Sequence, residues 1–223
     1  MKKFSIAIDG PAGSGKSTAA KLVAAKLGIV YVDTGAMYRA VALHCAQERI
    51  ALEDERAVVA GLDGLHMRIV PEEGGQRIFL NEADVTKQIR TPEIGRGASV
   101  VGAYRQVRER MVALQQTMAR EQSVIMDGRD IGTVVLPHAE VKIYLDASAE
   151  ERAKRRMGEL QEKGEEADFE EIKEMILQRD YNDMHREHSP LKKAEDAVVL
   201  DTTGMDIEAV VRAILDIVAE RVK

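Results

Sequence analysis

The sequence holds one cysteine, no tryptophan, no block of basic residues, no apolar run of membrane-spanning length, and no internal repeat or low-complexity linker. A lone cysteine, Cys45, excludes an intrachain disulfide framework. It lies in an Ala- and Leu-rich helical pattern and reads as a small buried residue. Without a basic stripe, a polyanion such as DNA is not expected as the main partner. The apolar runs fall far short of the roughly 20 residues that a membrane helix needs. Met1-Lys2-Lys3-Phe4 looks like the start of a signal peptide, but Asp9 breaks the apolar segment before a hydrophobic region forms. The expectation is a soluble chain of a reducing compartment, the cytoplasm, that engages neither nucleic acid nor membrane.

What is present is ordinary in bulk: 223 residues, 45% hydrophobic and 31% charged, with a formal net charge of −6. That length accommodates one substantial α/β domain with a small insertion. The distinctive stretch is Gly10-Pro11-Ala12-Gly13-Ser14-Gly15-Lys16-Ser17-Thr18. It fits G-x-x-x-x-G-K-[ST] between an apolar run, residues 4–8, and a helical pattern, residues 18–27, the context that makes it a phosphate-binding loop. Glycines let the backbone turn tightly and present N–H groups to an anion at the positive end of a helix. Lys16 then reaches the outer phosphates, and the Ser17 hydroxyl can bind Mg²⁺. The chain is expected to bind a nucleoside triphosphate.

Strand and helix patterns alternate, which predicts a mainly parallel sheet covered on both faces. After the first strand and helix, residues 29–32 read as a strand running into Asp33-Thr34-Gly35. Helical patterns cover residues 36–47 and 53–62. Residues 65–70 and 77–80 then flank the turn signal Pro71-Glu72-Glu73-Gly74-Gly75 and read as an antiparallel meander, the heart of an insertion at 63–90. Thr91-Pro92 is a helix entry, and two helical stretches lead back to a central strand at 123–126. Another strand spans 141–145, and Ser148 has capping-box spacing to Glu151 at the start of a helix. A charged connection at 161–168, a long helix at 169–185, a strand at 198–200 and a terminal helix capped by Asp206 complete the chain. Met111, Met118, Met175 and Met184 read as core filler.

Ligands of parallel sheets sit beyond the C-terminal strand ends. Three polar clusters fall there: the phosphate-binding loop, Asp33-Thr34-Gly35 with Tyr38 and Arg39, and Asp127-Gly128-Arg129-Asp130. Asp127 suits the aspartate that supports a bound Mg²⁺ from one layer out, though a turn-capping aspartate would look the same. Phosphoryl transfer needs positive donors around the moving group. Arg152, Arg155 and Arg156 share a helix face by their spacing, ahead of the charged connection, as a closing lid would require. A solvated face paired with Glu151, Glu159 and Glu162 fits the same residues. Arg179, Asp183 and Arg186 form one stripe, readable as a ligand face or as an intrahelical ladder. Asp201-Thr202-Thr203-Gly204 mimics a GTPase switch but has no guanine-reading motif beside it. His185 and His188 lack a third metal ligand.

Together these segments resemble the bacterial cytidylate kinases, a family of nucleoside monophosphate kinases with the P-loop NTPase fold. The likeness spans nearly the whole chain. It rests most on Asp33-Thr34-Gly35-Ala36-Met37-Tyr38-Arg39 and Asp127-Gly128-Arg129-Asp130-Ile131-Gly132-Thr133-Val134-Val135. The resemblance implies a five-stranded parallel sheet of order 2-3-1-4-5 with helices on both faces. It implies a core of residues 1–36 and 104–223 with a short lid near 152–168, and a CMP-binding insertion at 37–103. It also implies transfer of a phosphoryl group from ATP to CMP or dCMP with Mg²⁺. A site complete within one chain makes a monomer the expectation. Lys16 and the loop from Gly10 to Thr18 would hold ATP. Thr34, Tyr38, Arg39 and Arg129 would line the acceptor pocket. Ser99, Arg108 and Asp130 would read cytosine, Arg179 and Asp183 the sugar, and Arg186 would help hold CMP. Arg152, Arg155 and Arg156 would be lid arginines that act in catalysis with Lys16 and Arg129. A small-molecule kinase of shikimate or gluconate type would share the loop, the sheet and the lid arginines but not the two motifs. A non-enzymatic nucleotide switch would leave the arginines unexplained.

Overall fold

The computed structural model describes residues 3–72, 75–162 and 164–222. In chain order these form β1 (Ser5–Asp9), α1 (Lys16–Leu27), β2 (Val30–Asp33), α2 (Thr34–Gln47), α3 (Glu55–Gly61), β3 (Met67–Glu72), β4 (Gly75–Leu80) and β5 (Ala83–Asp84). There follow α4 (Pro92–Val101), α5 (Arg105–Glu121), β6 (Val124–Gly128), β7 (Val141–Asp146), α6 (Ala149–Gln161), α7 (Phe169–His185), β8 (Val198–Asp201) and α8 (Ile207–Arg221). The main sheet is parallel with order β2-β6-β1-β7-β8. Numbered within that sheet alone, the order is the expected 2-3-1-4-5. The strand that feeds the phosphate-binding loop is therefore central. Register sets Asp9 beside Gly128 and Asp33 beside Asp127. Three carboxylates reach one rim because each lies at the end of a strand in the same parallel sheet.

β1 points Ile6 and Ile8 to one face and Ala7 to the other, the two-residue period of a strand buried on both sides. Ile6, Ile8, Ile125 and Ile143 pack against Ala19 and Val23 of α1 and Val210 and Ile214 of α8. Across the sheet, Ala7, Val32, Val124 and Met126 meet Ile131, Val135 and the α5 residues Val112 and Met118. Burying a side chain such as Ile8 contributes about 1.5–3 kcal/mol.

The other elements build a second core. β3, β4 and β5 form an antiparallel sheet. Glu73 and Gly74, part of the turn anticipated there, lie outside the described residues. Met37 and Val41 of α2, Ile78 of β4, Val101 of α4 and Met111 of α5 close around one another. Gln76 joins this unit to the main sheet much as a strand would. Its Oε1 accepts the Asp33 N–H at 3.0 Å and its Nε2 donates to Asp33 O at 3.1 Å.

Some boundaries depart from the sequence pattern, each for a local reason. α2 begins at Thr34 because Asp33 caps it, with Oδ1 accepting the Ala36 N–H at 2.9 Å. β6 runs on through Asp127 and Gly128 because β1 and β2 offer partners that far. A single π-type turn, Ile131–Val135, follows it. Caps at Thr91, Ser148 and Asp206 stand as anticipated. Met111 and Met118 pack in the cores, but Met175 and Met184 are not core filler: they are 62% and 43% exposed. The buried stripe of α7 is instead Ile172, Ile176, Asp180 and Asp183. Among the described residues no helix is long and apolar enough to cross a membrane.

Candidate active site

The loop from Gly10 to Thr18 leads into the N-terminus of α1. Gly13 and Gly15 take φ of 76° and 86°. A Cβ on Gly10, at φ 151°, would fall 2.0 Å from Leu145 O, so only glycine lets the chain leave β1 against β7. Lys16 is buried, and its Nζ donates to Pro11 O at 2.6 Å and Ser14 Oγ at 3.1 Å. Burial, reinforced by the nearby Arg129 charge, pulls the Lys16 pKa down to about 7. Ser17 Oγ donates to Asp127 Oδ2 at 2.7 Å, and the Tyr31 hydroxyl donates to Asp127 Oδ1 at 2.8 Å. Burial, and then the charge of Asp33, push the Asp127 carboxyl above its ordinary range.

Across the rim, Thr34 Oγ1 donates to Asp127 O at 2.7 Å. A chain of ion pairs links α5, the end of β6 and α7. Arg108 donates to Asp130, Arg129 Nε donates to Asp183 Oδ2 at 2.7 Å, and Arg186 stands 3.8 Å from both Asp130 and Asp183. Burial works against the Asp183 charge, but Arg129 holds its carboxyl below the usual value. Arg108 also lies 5.3 Å from the Tyr38 ring centre and donates to Gly102 O at 3.0 Å. Arg39 donates to Ile89 O at 3.2 Å. Ser99 is exposed on α4, one turn before Gly102.

Not every cation here has a hydrogen-bond partner. Arg179 Nε is buried with no partner among the described residues. Burial, and then Arg129, lower the Arg179 pKa to about 10. The Arg129 and Arg179 charges both act on Lys16, and Arg39 acts on Arg179, so these four cations share one rim. Buried cations that repel one another mark a place for an anion.

The three arginines of α6 occupy different surroundings. Arg152 is buried and donates to Ala147 O, Ala12 O and Asp180. Arg155 is half-buried, donating to Thr202 O at 2.7 Å and Ser14 O at 3.4 Å. Arg156 is the most exposed and pairs with Glu159 at 2.8 Å. Away from the rim, His185 Nδ1 lies 2.8 Å from Tyr181 O, and Cys45 is buried.

Two buried carboxylates had drawn no functional reading from the sequence. Asp9 accepts the N–H groups of Ile131 and Gly132, each at 2.7 Å, and so holds the turn after Asp130 against the entry to the phosphate-binding loop. Burial outweighs those two bonds and raises its pKa to about 6. Asp180 accepts the Ala12 N–H at 3.0 Å. The available signal was a carboxylate in an apolar pattern: Asp9 ends an apolar strand, and Asp180 stands four residues after Ile176 on the buried stripe of α7.

A parallel sheet of this order, a phosphate-binding loop after its central strand and a cationic rim define a P-loop kinase of small molecules. The family model described as Cytidylate kinase matches residues 6–220, and the chain belongs to that family. It is 51% identical over 223 residues to a cytidylate kinase of Caldicellulosiruptor bescii, covering 100% of this chain and 99% of the relative. It is 52% identical over 222 residues to a cytidylate kinase of Bacillus pumilus, covering 100% and 98%. A gluconokinase structure from Sinorhizobium meliloti superposes with a TM-score of 0.52 at 14% identity, covering 98% of this chain and 94% of that one. At that identity the likeness extends to the fold alone.

Proposed function

We infer that this chain transfers the γ-phosphoryl group of ATP to CMP, giving ADP and CDP, with dCMP as a further acceptor. The observation that carries the reading is the buried cluster of Lys16, Arg129 and Arg179, in which Arg179 Nε has no partner among the described residues, beside the phosphate-binding loop and the Arg108–Asp130 pair. Its relatives' names supply the nucleotide, and the chemistry of the pair agrees. Cytosine presents an amine, for which Asp130 is an acceptor, and a carbonyl, for which Arg108 and Ser99 are donors.

In this reading Lys16 and the amides from Gly10 to Thr18 hold the ATP phosphates. Thr34, Tyr38, Arg39, Arg129, Arg179, Asp183 and Arg186 surround the CMP phosphate and sugar. The acceptor phosphate oxygen is already anionic, so no general base is needed; alignment and charge stabilisation carry the rate. Arg155 and Arg156 supply positive charge from the lid. Residues 37–103 form the CMP-binding insertion, and residues 1–36 with 104–223 the core. Both halves of the site come from one chain, which favours a monomer, and the single free thiol suits the cytoplasm.

The Ser17–Asp127 bond of 2.7 Å fits a Mg²⁺ site in which Ser17 is a ligand and Asp127 orients metal-bound water. Among the described residues no group of three or more His, Cys, Asp or Glu could hold a metal by itself, as expected when phosphates and water complete the shell. Bound Mg²⁺ neutralises charge on the β- and γ-phosphates. A coupled assay of ADP release with a panel of nucleoside monophosphates tests the reading. CMP and dCMP should support turnover with catalytic efficiency more than about tenfold above UMP, since an unpaired polar group in a closed pocket costs roughly 1–3 kcal/mol. Equal efficiencies would refute it.

A further inference from the structure

α6 and α7 both reach the backbone of Ala12 in the phosphate-binding loop. Ala12 donates its N–H to Asp180 Oδ1 at 3.0 Å, and its carbonyl accepts from Arg152 Nη1 at 2.8 Å. The same Arg152 nitrogen donates to Asp180 Oδ2 at 2.5 Å, and Arg152 Nε is tied back to Ala147 O at 3.0 Å. Both residues are only 6% exposed. The loop is seated directly on them: a Cβ on Gly13 would lie 3.4 Å from Arg152 Cβ and 3.8 Å from Ile176 Cδ1.

We propose that Asp180 is a positioning residue for the ATP phosphates, acting with Arg152 by holding the backbone of Ala12 on both sides, at its N–H and at its carbonyl. The proposal rests on the kinase reading for the identity of the ligand. Ala12 lies between Gly10 and Gly13, which take φ values of 151° and 76° and have no side chain to fix the backbone. Pinning the backbone on both sides of Ala12 sets the aim of the amides that follow it. Asp180 is also adjacent to Arg179 on α7, so one helix both anchors the donor loop and presents the unpartnered guanidinium to the rim. Removing one member of a buried, hydrogen-bonded ion pair leaves the other uncompensated, and the grip is lost with it. Arg152, on this view, acts through the loop, and its charge is already committed to Asp180.

The test compares Asp180→Asn, Asp180→Ala, Arg152→Ala, the double alanine variant and the wild type in steady-state kinetics, varying ATP and CMP in turn. Thermal melts set an assay temperature at which each variant is folded. Asp180→Ala should raise KM for ATP at least tenfold and leave KM for CMP within about threefold. Asp180→Asn, which keeps an acceptor for the Ala12 N–H, should fall between it and wild type. The double variant should be no worse for ATP than the worse single, because both residues act on the backbone of Ala12 and on each other. A lower melting temperature with both KM values unchanged would assign Asp180 to stability alone and overturn the proposal. Equal increases in the two KM values, or additive effects in the double variant, would overturn it as well. Should Asp180→Ala fail to fold, the split in KM is read from Asp180→Asn. Failure of the CMP assignment would show separately, as a wild type without preference for CMP, while the ATP effect remains readable with any acceptor that turns over.

Discussion

Replacing Asp130 by asparagine separates the two duties of the Arg108–Asp130 pair. The side chains of Arg108 and Asp130 are 4% and 6% exposed, and Arg186 stands 3.8 Å from the same carboxylate. Breaking a buried ion pair by removing one partner costs roughly 3–5 kcal/mol. Asparagine keeps the volume and one acceptor oxygen, and Arg108 retains Gly102 O as a partner, so the lower end of about 3 kcal/mol applies. In a chain of this size about 1 kcal/mol moves the melting temperature by roughly 2–4 °C, which gives a fall of about 6–12 °C. The variant also loses its acceptor-only edge, because an amide can turn a donor toward the uracil carbonyl. Its preference for CMP over UMP should therefore fall from more than tenfold to about threefold or less, the loss of roughly 1 kcal/mol of discrimination. Scanning calorimetry and paired catalytic efficiencies measure the two effects on one preparation. A variant that melts with the wild type would show that this pair does not bear on stability, and one that keeps the full CMP preference would show that it does not read the base.

Three further outcomes follow from the cations of the site. The Lys16 pKa of about 7 lies below the ordinary lysine value, so a phosphate that favours the charged form must raise it on binding. Above pH 7 binding then takes up a proton and weakens with rising pH, by up to about tenfold per unit. Calorimetric titration with ADP at pH 8.5, in buffers of different ionisation enthalpy, should find uptake close to one proton; none would contradict the depressed lysine. The same shift makes the free protein gain stability as pH rises above 7, where the unfolded chain binds the extra proton. Arg155→Ala should lower kcat by about a hundredfold, the scale of one donor to the transferring group, with KM for CMP little altered. Unchanged turnover would remove Arg155 from the lid's catalytic role.

Much of the architecture was legible because it is local. A strand, a glycine-rich turn and Lys16-Ser17 at a helix start announce a phosphate site within a single stretch, and caps such as Thr91 and Asp206 act within four residues. The helix after Asp33 opens at Thr34, two residues ahead of the periodic pattern, because Asp33 caps it, and capping residues carry no apolar periodicity to mark the start. Met175 and Met184 show the converse limit. Their spacing suits a core, but α7 turns a different stripe inward because Ala153 and Ile176 meet there.

The sequence by itself determined the class of chemistry, since the residue types that cradle phosphate and balance its charge are set by short-range spacing and by the anion's own demands. Only the tertiary structure decided which of several equivalent residues does what. Arg152, Arg155 and Arg156 share one helix face, yet Arg152 is buried against Asp180, Arg155 reaches Thr202, and Arg156 stays with Glu159. Asp9 finds Ile131 across more than a hundred residues of chain, and Ala12 finds Asp180 in the same way. The physical reason is that a charged side chain takes its role from the partners that desolvate and neutralise it, and those partners are delivered by the parallel crossovers and the packing of helices on the sheet.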